Sequence, residues 1–260
     1  MMFDKGHGPP VVIVQGLQGR WQWTRPALEE LAKRCRVISY SLAGDLGSRY
    51  RYDPTKGFDN YMRQLGDVMT SKHIERAAVV GISFGGFVAT HFAALHPHQT
   101  SALVLASAPG PGWSPNPRQA RWLSRPWLST PAFVATSPFR VWPEVRAAFG
   151  GLLPSLAFLA RQGLRVVAAP AIPSLMSARI RDARALDVPS DCARITVPTL
   201  VITGEETLDR VVPVETTRRY AAAIPGARYE LMEATGHLGV LTQPERFARL
   251  VGDFVHANSH

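Results

Sequence analysis

Acidic residues are scarce in this chain. Twenty aspartates and glutamates stand against 29 lysines and arginines among 260 residues, a formal charge of +9. Cysteine is scarcer still. Cys35 and Cys192 lie far apart, at no metal-binding or redox spacing, which leaves the expectation of a chemically idle thiol pair in a cytoplasmic protein. Long apolar runs are missing as well: no stretch approaches the roughly 20 residues of a membrane span. The opening MMFDKGHGPP lacks the apolar segment of a secretory signal. The basic residues form no run of five and no stripe alternating with aromatics, so nucleic acid is not an expected partner and the charge reads as a soluble basic surface. There is no internal repeat, and the oligomeric state stays open.

What is present is a repeated alternation. Val11–Val14, Val37–Tyr40, Ala77–Ile82, Ala102–Leu105, Thr199–Thr203 and Tyr229–Met232 are short apolar runs of strand character, and helical patterns follow them. The first of these helices, in TRPALEELAKR, has Thr24 as its candidate N-cap and Pro26 in its first turn. Continuous apolar strands alternating with helices predict an α/β fold whose sheet is mostly or wholly parallel, with helices on both faces. Residues 110–190 break the rhythm with helical pieces separated by prolines. The chain therefore divides into a core of residues 1–110 and 191–260 and a helical insertion of 111–190.

Chemistry in an open α/β sheet gathers at the carboxyl ends of the strands. Beyond the third run lies Gly81-Ile82-Ser83-Phe84-Gly85, beyond the fifth Gly204-Glu205-Glu206-Thr207-Leu208-Asp209, and beyond the last Gly236-His237. A serine, an acid and a histidine thus collect at one edge. A serine hydroxyl needs a base to take its proton, a neutral imidazole can do so, and a carboxylate can orient that imidazole. Glycines around Ser83 suit a sharp strand-to-helix turn, and the N–H groups of Phe84 and Leu17 are placed to form an oxyanion hole. Asp45, in AGDLGS, reads as a loop residue.

The stretches VIVQGLQGRW, ERAAVVGISFGGFVATHFAALHP, SALVLASAPG, PTLVITGEETLDRVVPVE and ATGHLGVLTQPERF resemble the α/β-hydrolase fold, in its capped, esterase-like branch, over about residues 11–110 and 195–256. The resemblance implies a Ser83–Asp209–His237 triad, a cap formed by the insertion, and a serine hydrolase acting through an acyl-enzyme on a small-molecule substrate, with no cofactor and no metal expected. Its first-choice substrate is a carboxylic ester with an apolar acyl or alcohol group. Thioesters and the C–C bonds of vinylogous diketones are rivals on the same triad, and a non-hydrolytic small-molecule receptor is a rival of another class.

The chain also departs from the family pattern. Gln15 stands where the family often has histidine, and Ile82 precedes the serine where histidine is common. The acid loop is about two residues longer than usual; Asp209 is chosen because it lies four before Pro213, with Glu205 and Glu206 as alternatives. The antiparallel hairpin that usually opens the sheet is not visible, so about six strands, all parallel, are expected. Trp113, Trp122, Trp127 and Trp142 fall in the insertion, as its own core or as the lining of an apolar pocket.

Overall fold

The computed structural model describes residues 2–259. Among them, seven strands form one sheet: β1 (Met2–Lys5), β2 (Pro10–Val14), β3 (Arg36–Tyr40), β4 (Ala77–Ile82), β5 (Thr100–Ala106), β6 (Thr199–Thr203) and β7 (Arg228–Leu231). Their spatial order is β1-β3-β2-β4-β5-β6-β7. Every neighbouring pair is parallel except β1 with β3, where Phe3 faces Ser39 and Lys5 faces Val37. The sheet is therefore mostly parallel, but not the six wholly parallel strands expected. One antiparallel edge strand opens it. β1 buries only Phe3 of its four residues, too little apolar signal to separate it from a loop.

Among the described residues, eleven α-helices accompany the strands: α1 (Arg25–Leu31), α2 (Asp59–Ser71), α3 (Gly85–Leu95), α4 (Pro117–Ser124), α5 (Pro126–Phe149), α6 (Leu152–Ala168), α7 (Pro173–Ala183), α8 (Val188–Arg194), α9 (Val214–Ala223), α10 (Gly239–Thr242) and α11 (Pro244–Ala257). Successive side chains of a strand point to opposite faces, and both faces are covered. Val12, Val79 and Leu103 join Leu65 of α2, Phe92 of α3 and Tyr220 of α9. Val11, Val80 and Val104 join Leu28 of α1 and Phe247 and Val251 of α11. Burial on both sides explains why the strands read as unbroken apolar runs.

Two local expectations change. Thr24 sits at the N-cap of α1 but does not cap it; its hydroxyl donates to Gln15 Oε1 at 2.8 Å instead. Between β5 and β6 the chain makes a helical excursion through α4 to α8. There Pro117, Pro126 and Pro173 do open separate helices, but Pro131, Pro138 and Pro143 break nothing: α5 runs 24 residues through them. Hydroxyls bond back along it, Thr130 to Pro126 O at 2.6 Å and Ser137 to Phe133 O at 2.7 Å, each onto the carbonyl just before one that a proline leaves without its helical N–H (Trp127 and Val134).

Candidate active site

β4 ends at Ile82, and the chain then turns sharply. Ser83 has φ +51°, a left-handed conformation that costs a non-glycine residue about 1–3 kcal/mol and persists only where the surroundings enforce it. Glycine packing enforces it here. A Cβ on Gly81 would meet Gly85 O at 2.5 Å and Gly86 Cα at 2.6 Å, and one on Gly85 would collide with the Val14 carbonyl. Strand β4, helix α3 and the end of β2 close around the serine because those positions carry no side chain. The Ser83 N–H donates to Ala106 O at 2.9 Å.

His237 lies between β7 and α10. Its Nε2 is 3.1 Å from Ser83 Oγ and its Nδ1 is 3.2 Å from Asp209 Oδ2. The His237 and Asp209 side chains are 12% and 2% exposed. The other Asp209 oxygen accepts the N–H groups of Val211 and Val212 at 2.9 and 3.0 Å, which fixes the carboxylate's plane. Glu205 does something else: its Oε1 accepts the Ala234 N–H at 2.7 Å, tying the acid loop to the histidine loop. Glu206 is exposed. Gly236 permits the close approach, since a Cβ there would lie 2.6 Å from Leu208 C and 2.8 Å from Asp209 N.

The loop after β2 lies against the same serine. A Cβ on Gly16 would be 3.4 Å from Ser83 Cβ, and Leu17 follows. Among the described residues, neither the Leu17 N–H nor the Phe84 N–H is bonded to another protein group. Gln15 braces the loop from the core: it is 1% exposed, donates Nε2 to Ser39 Oγ at 2.7 Å and accepts from Thr24. An amide with a donor and an acceptor matched on each side explains how glutamine is accommodated there.

Two contributors to the site escape the sequence reading, and both come from the helical excursion. Arg179 of α7 donates Nη1 to the Leu17 carbonyl at 2.8 Å and pairs with Asp45, both side chains being 0% exposed. Asp45 is thus a loop residue, but a buried one. Burial pushes its carboxyl up to about 6, against the downward pull of Arg179 and Arg20. Removing one partner of a buried pair strands the other. Arg179→Met is expected to destabilise the fold by about 3 kcal/mol, the low end of that range because Arg20 still faces Asp45. Urea denaturation measures this, and a loss below about 1 kcal/mol would mean that the pair is not structural.

The second is Glu144 of α5, 2% exposed. Its Oε1 accepts the Leu238 N–H at 2.8 Å. Burial raises its carboxyl to about 7, opposed by N–H groups of Gly236 and Leu238 and by His237, while Asp209 adds to the rise. Burial by itself disfavours the His237 imidazolium, but Asp209 and Glu144 outweigh it, and the net direction is upward. One signal in the sequence did mark Glu144: it is the sole carboxylate in residues 111–181.

Comparison with known proteins follows the same lines. The sequence profile described as "Alpha/beta hydrolase family" matches residues 7–250. A Pseudomonas savastanoi pv. phaseolicola protein named as a carbamate hydrolase, RutD, is 31% identical, the alignment covering 96% of this chain and 95% of that protein. A 2-hydroxy-6-oxo-2,4-heptadienoate hydrolase of Pseudomonas putida is 28% identical, with 98% and 92% covered. Among solved structures, the enol-lactonase from Burkholderia xenovorans LB400 superposes with a TM-score of 0.78 at 23% identity, covering 98% of this chain and 96% of that one; at that identity the likeness concerns the fold.

Proposed function

The chain belongs to the alpha/beta hydrolase family, and on that premise we propose that it is a serine hydrolase whose nucleophile is Ser83, base His237 and orienting acid Asp209. The observation that carries the reading is the hydrogen-bonded line from Ser83 Oγ through both ring nitrogens of His237 to Asp209 Oδ2. It starts on a serine that glycine packing holds in a left-handed turn.

In this reading His237 Nε2 takes the proton as Ser83 Oγ attacks a carbonyl carbon. The developing oxyanion is received by the N–H groups of Leu17 and Phe84, each such donor contributing about 3–4 kcal/mol to lowering the barrier. His237 returns the proton to the leaving group, and an acyl-enzyme remains on Ser83. Water, deprotonated by the same imidazole, then releases the acid. Asp209 fixes the tautomer and balances the imidazolium charge.

Residues 111–190 act as a cap over this site. Three contacts support the assignment: Glu144 to Leu238 beside the base, Gln119 Nε2 to Val211 O beside the acid, and Arg179 to Leu17. Its last helix, α8, leans on the core, with Val188 and Cys192 in the same cluster as Phe92.

A carboxylic ester is the first-choice substrate. The relative named as a carbamate hydrolase adds a carbamate, and the one named as a 2-hydroxy-6-oxo-2,4-heptadienoate hydrolase favours a rival already raised, the C–C bond of a vinylogous diketone; both are cleavable with the same three residues. A panel of p-nitrophenyl esters of increasing acyl length, an aryl thioester, a carbamate and a vinylogous diketone tests this. Esters are expected to give the highest kcat/KM. A carbamate or diketone turned over at least tenfold faster than every ester would move the substrate class and leave the triad reading standing.

The acid limb of the kcat/KM profile follows from the site's charges. The free enzyme must hold His237 neutral, and its pKa is raised above the ordinary 6.5. Activity is therefore expected to fall on acidification with a midpoint above that value. Glu144→Gln keeps an acceptor for the Leu238 N–H but removes a negative charge, so the limb is expected to move to lower pH. The limb belongs to the coupled His237 and Glu144 pair. A profile unchanged in Glu144→Gln would assign Glu144 a packing role only.

A further inference from the structure

The excess positive charge looks scattered along the chain, but it is not scattered over the fold. Residues 111–181 hold nine arginines, no lysine and one carboxylate, a surplus of eight out of the chain's nine. That carboxylate, Glu144, is buried, so this stretch presents no acidic group to solvent. Arg118, Arg121, Arg125 and Arg161 are exposed, and none of them is ion-paired among the described residues.

Arg118 and Arg121 lie on α4, Arg125 is the N-cap of α5 and Arg161 lies on α6; α5 and α6 also turn apolar side chains outward. On α6 only Ser155 is buried, while Leu153, Leu164 and Val167 are 79%, 71% and 79% exposed. With Leu156 and Ala160 they form one stripe at helical spacing. On α5, Trp127, Leu128 and Phe139 are 64%, 74% and 79% exposed. The two helices lie side by side, joined by Phe149 against Phe158 at 5.1 Å between ring centres. Trp127 is therefore neither cap core nor pocket lining.

We propose that this outward face of α5 and α6 is a docking surface for an anionic lipid bilayer. Apolar side chains entering the acyl boundary, beside long cationic ones that reach the phosphates, are what an interfacial helix uses. No single helix among the described residues is long and apolar enough to cross a membrane; α6 and α7 reach that length and composition only as a pair bent by 91°, and α7 is packed into the fold through Met176, Ala178 and Ile180, so α5 and α6 would lie along the surface. A second copy of the chain would set one arginine-rich face against another, with no exposed carboxylate in this stretch to answer it. Nucleic acid would meet the arginines but leave the leucine stripe in water. Only an anionic bilayer offers both an apolar interior and a negative surface.

Flotation with vesicles tests this surface and does not depend on the hydrolase reading. The wild-type chain is expected to float with phosphatidylcholine–phosphatidylglycerol vesicles, less so as salt is raised, and to stay unbound with phosphatidylcholine alone. Arg125→Glu/Arg161→Glu is expected to lower partitioning about tenfold or more. Leu153→Glu/Leu164→Glu is expected to lower it about a hundredfold. All four residues are outside the core, and an unchanged thermal melt verifies that each variant folds. No binding to anionic vesicles, equal binding to neutral ones, or variants that bind like wild type would each overturn the proposal. So would a dimer in sedimentation that the leucine substitutions dissociate, if vesicles are not bound.

Discussion

Replacing Ser83 by alanine is expected to lower kcat on an activated ester by about 10⁵–10⁶-fold, the scale seen when a serine nucleophile is removed from an intact triad. Stability should hardly change. Alanine keeps the Cβ that serine has at φ +51°, so the turn is no more strained, and the hydroxyl's ring partner His237 retains Asp209. Steady-state kinetics with a thermal melt of the same preparation separates loss of chemistry from loss of fold. Activity within tenfold of wild type, in a variant that melts normally, would mean that Ser83 is not the nucleophile and that His237 activates water directly.

Asp209→Asn is expected to cost about 10⁴-fold in kcat. The physical cause is orientation rather than distance. One side-chain oxygen is engaged by the N–H groups of Val211 and Val212, so the asparagine carbonyl will keep that position and turn its NH₂ toward His237 Nδ1. Nδ1 must then accept, which places the ring's proton on Nε2, facing Ser83, where it cannot take the serine proton. Glu205→Gln and Glu206→Gln are expected to stay within about tenfold, because Glu205 braces the Ala234 N–H and Glu206 is exposed. The reverse pattern, with Asp209→Asn active and Glu206→Gln inactive, would move the acid.

Most of the sheet was legible because burial on both faces makes the five parallel strands β2 to β6 runs rich in valine, isoleucine and leucine; β7, RYEL with no buried residue, was read instead from its place in the alternation of strands and helices. β1 was not, because an edge strand with one buried residue has no such run. Ser83 and His237 could be singled out because a sharp turn and a close approach leave local marks, glycine on both sides of the serine and glycine before the histidine; Asp209 was preferred to Glu205 and Glu206 only for its place four before Pro213. Arg179 leaves none, and Glu144 only the compositional one of being the sole carboxylate in residues 111–181. Their partners Leu17 and Leu238 are 162 and 94 positions away, and a contact between one side chain and a distant backbone group imposes no periodicity on either stretch. α5 was hidden for a different reason. Three prolines read as helix breaks, yet a helix flanked by α4 and α6, with hydroxyls bonding back to its carbonyls, carries them.

The most direct test of the central claim is covalent. The chain is incubated with a fluorophosphonate, which phosphonylates only a hydroxyl made nucleophilic by a neighbouring base. It is then digested, and the adduct is located by mass spectrometry. The account predicts one stoichiometric adduct, on the peptide containing Ser83, absent from Ser83→Ala and strongly slowed in Asp209→Asn. A wild-type protein that melts cooperatively and yet takes up no label at Ser83, or a label that persists when Ser83 is alanine, would contradict it.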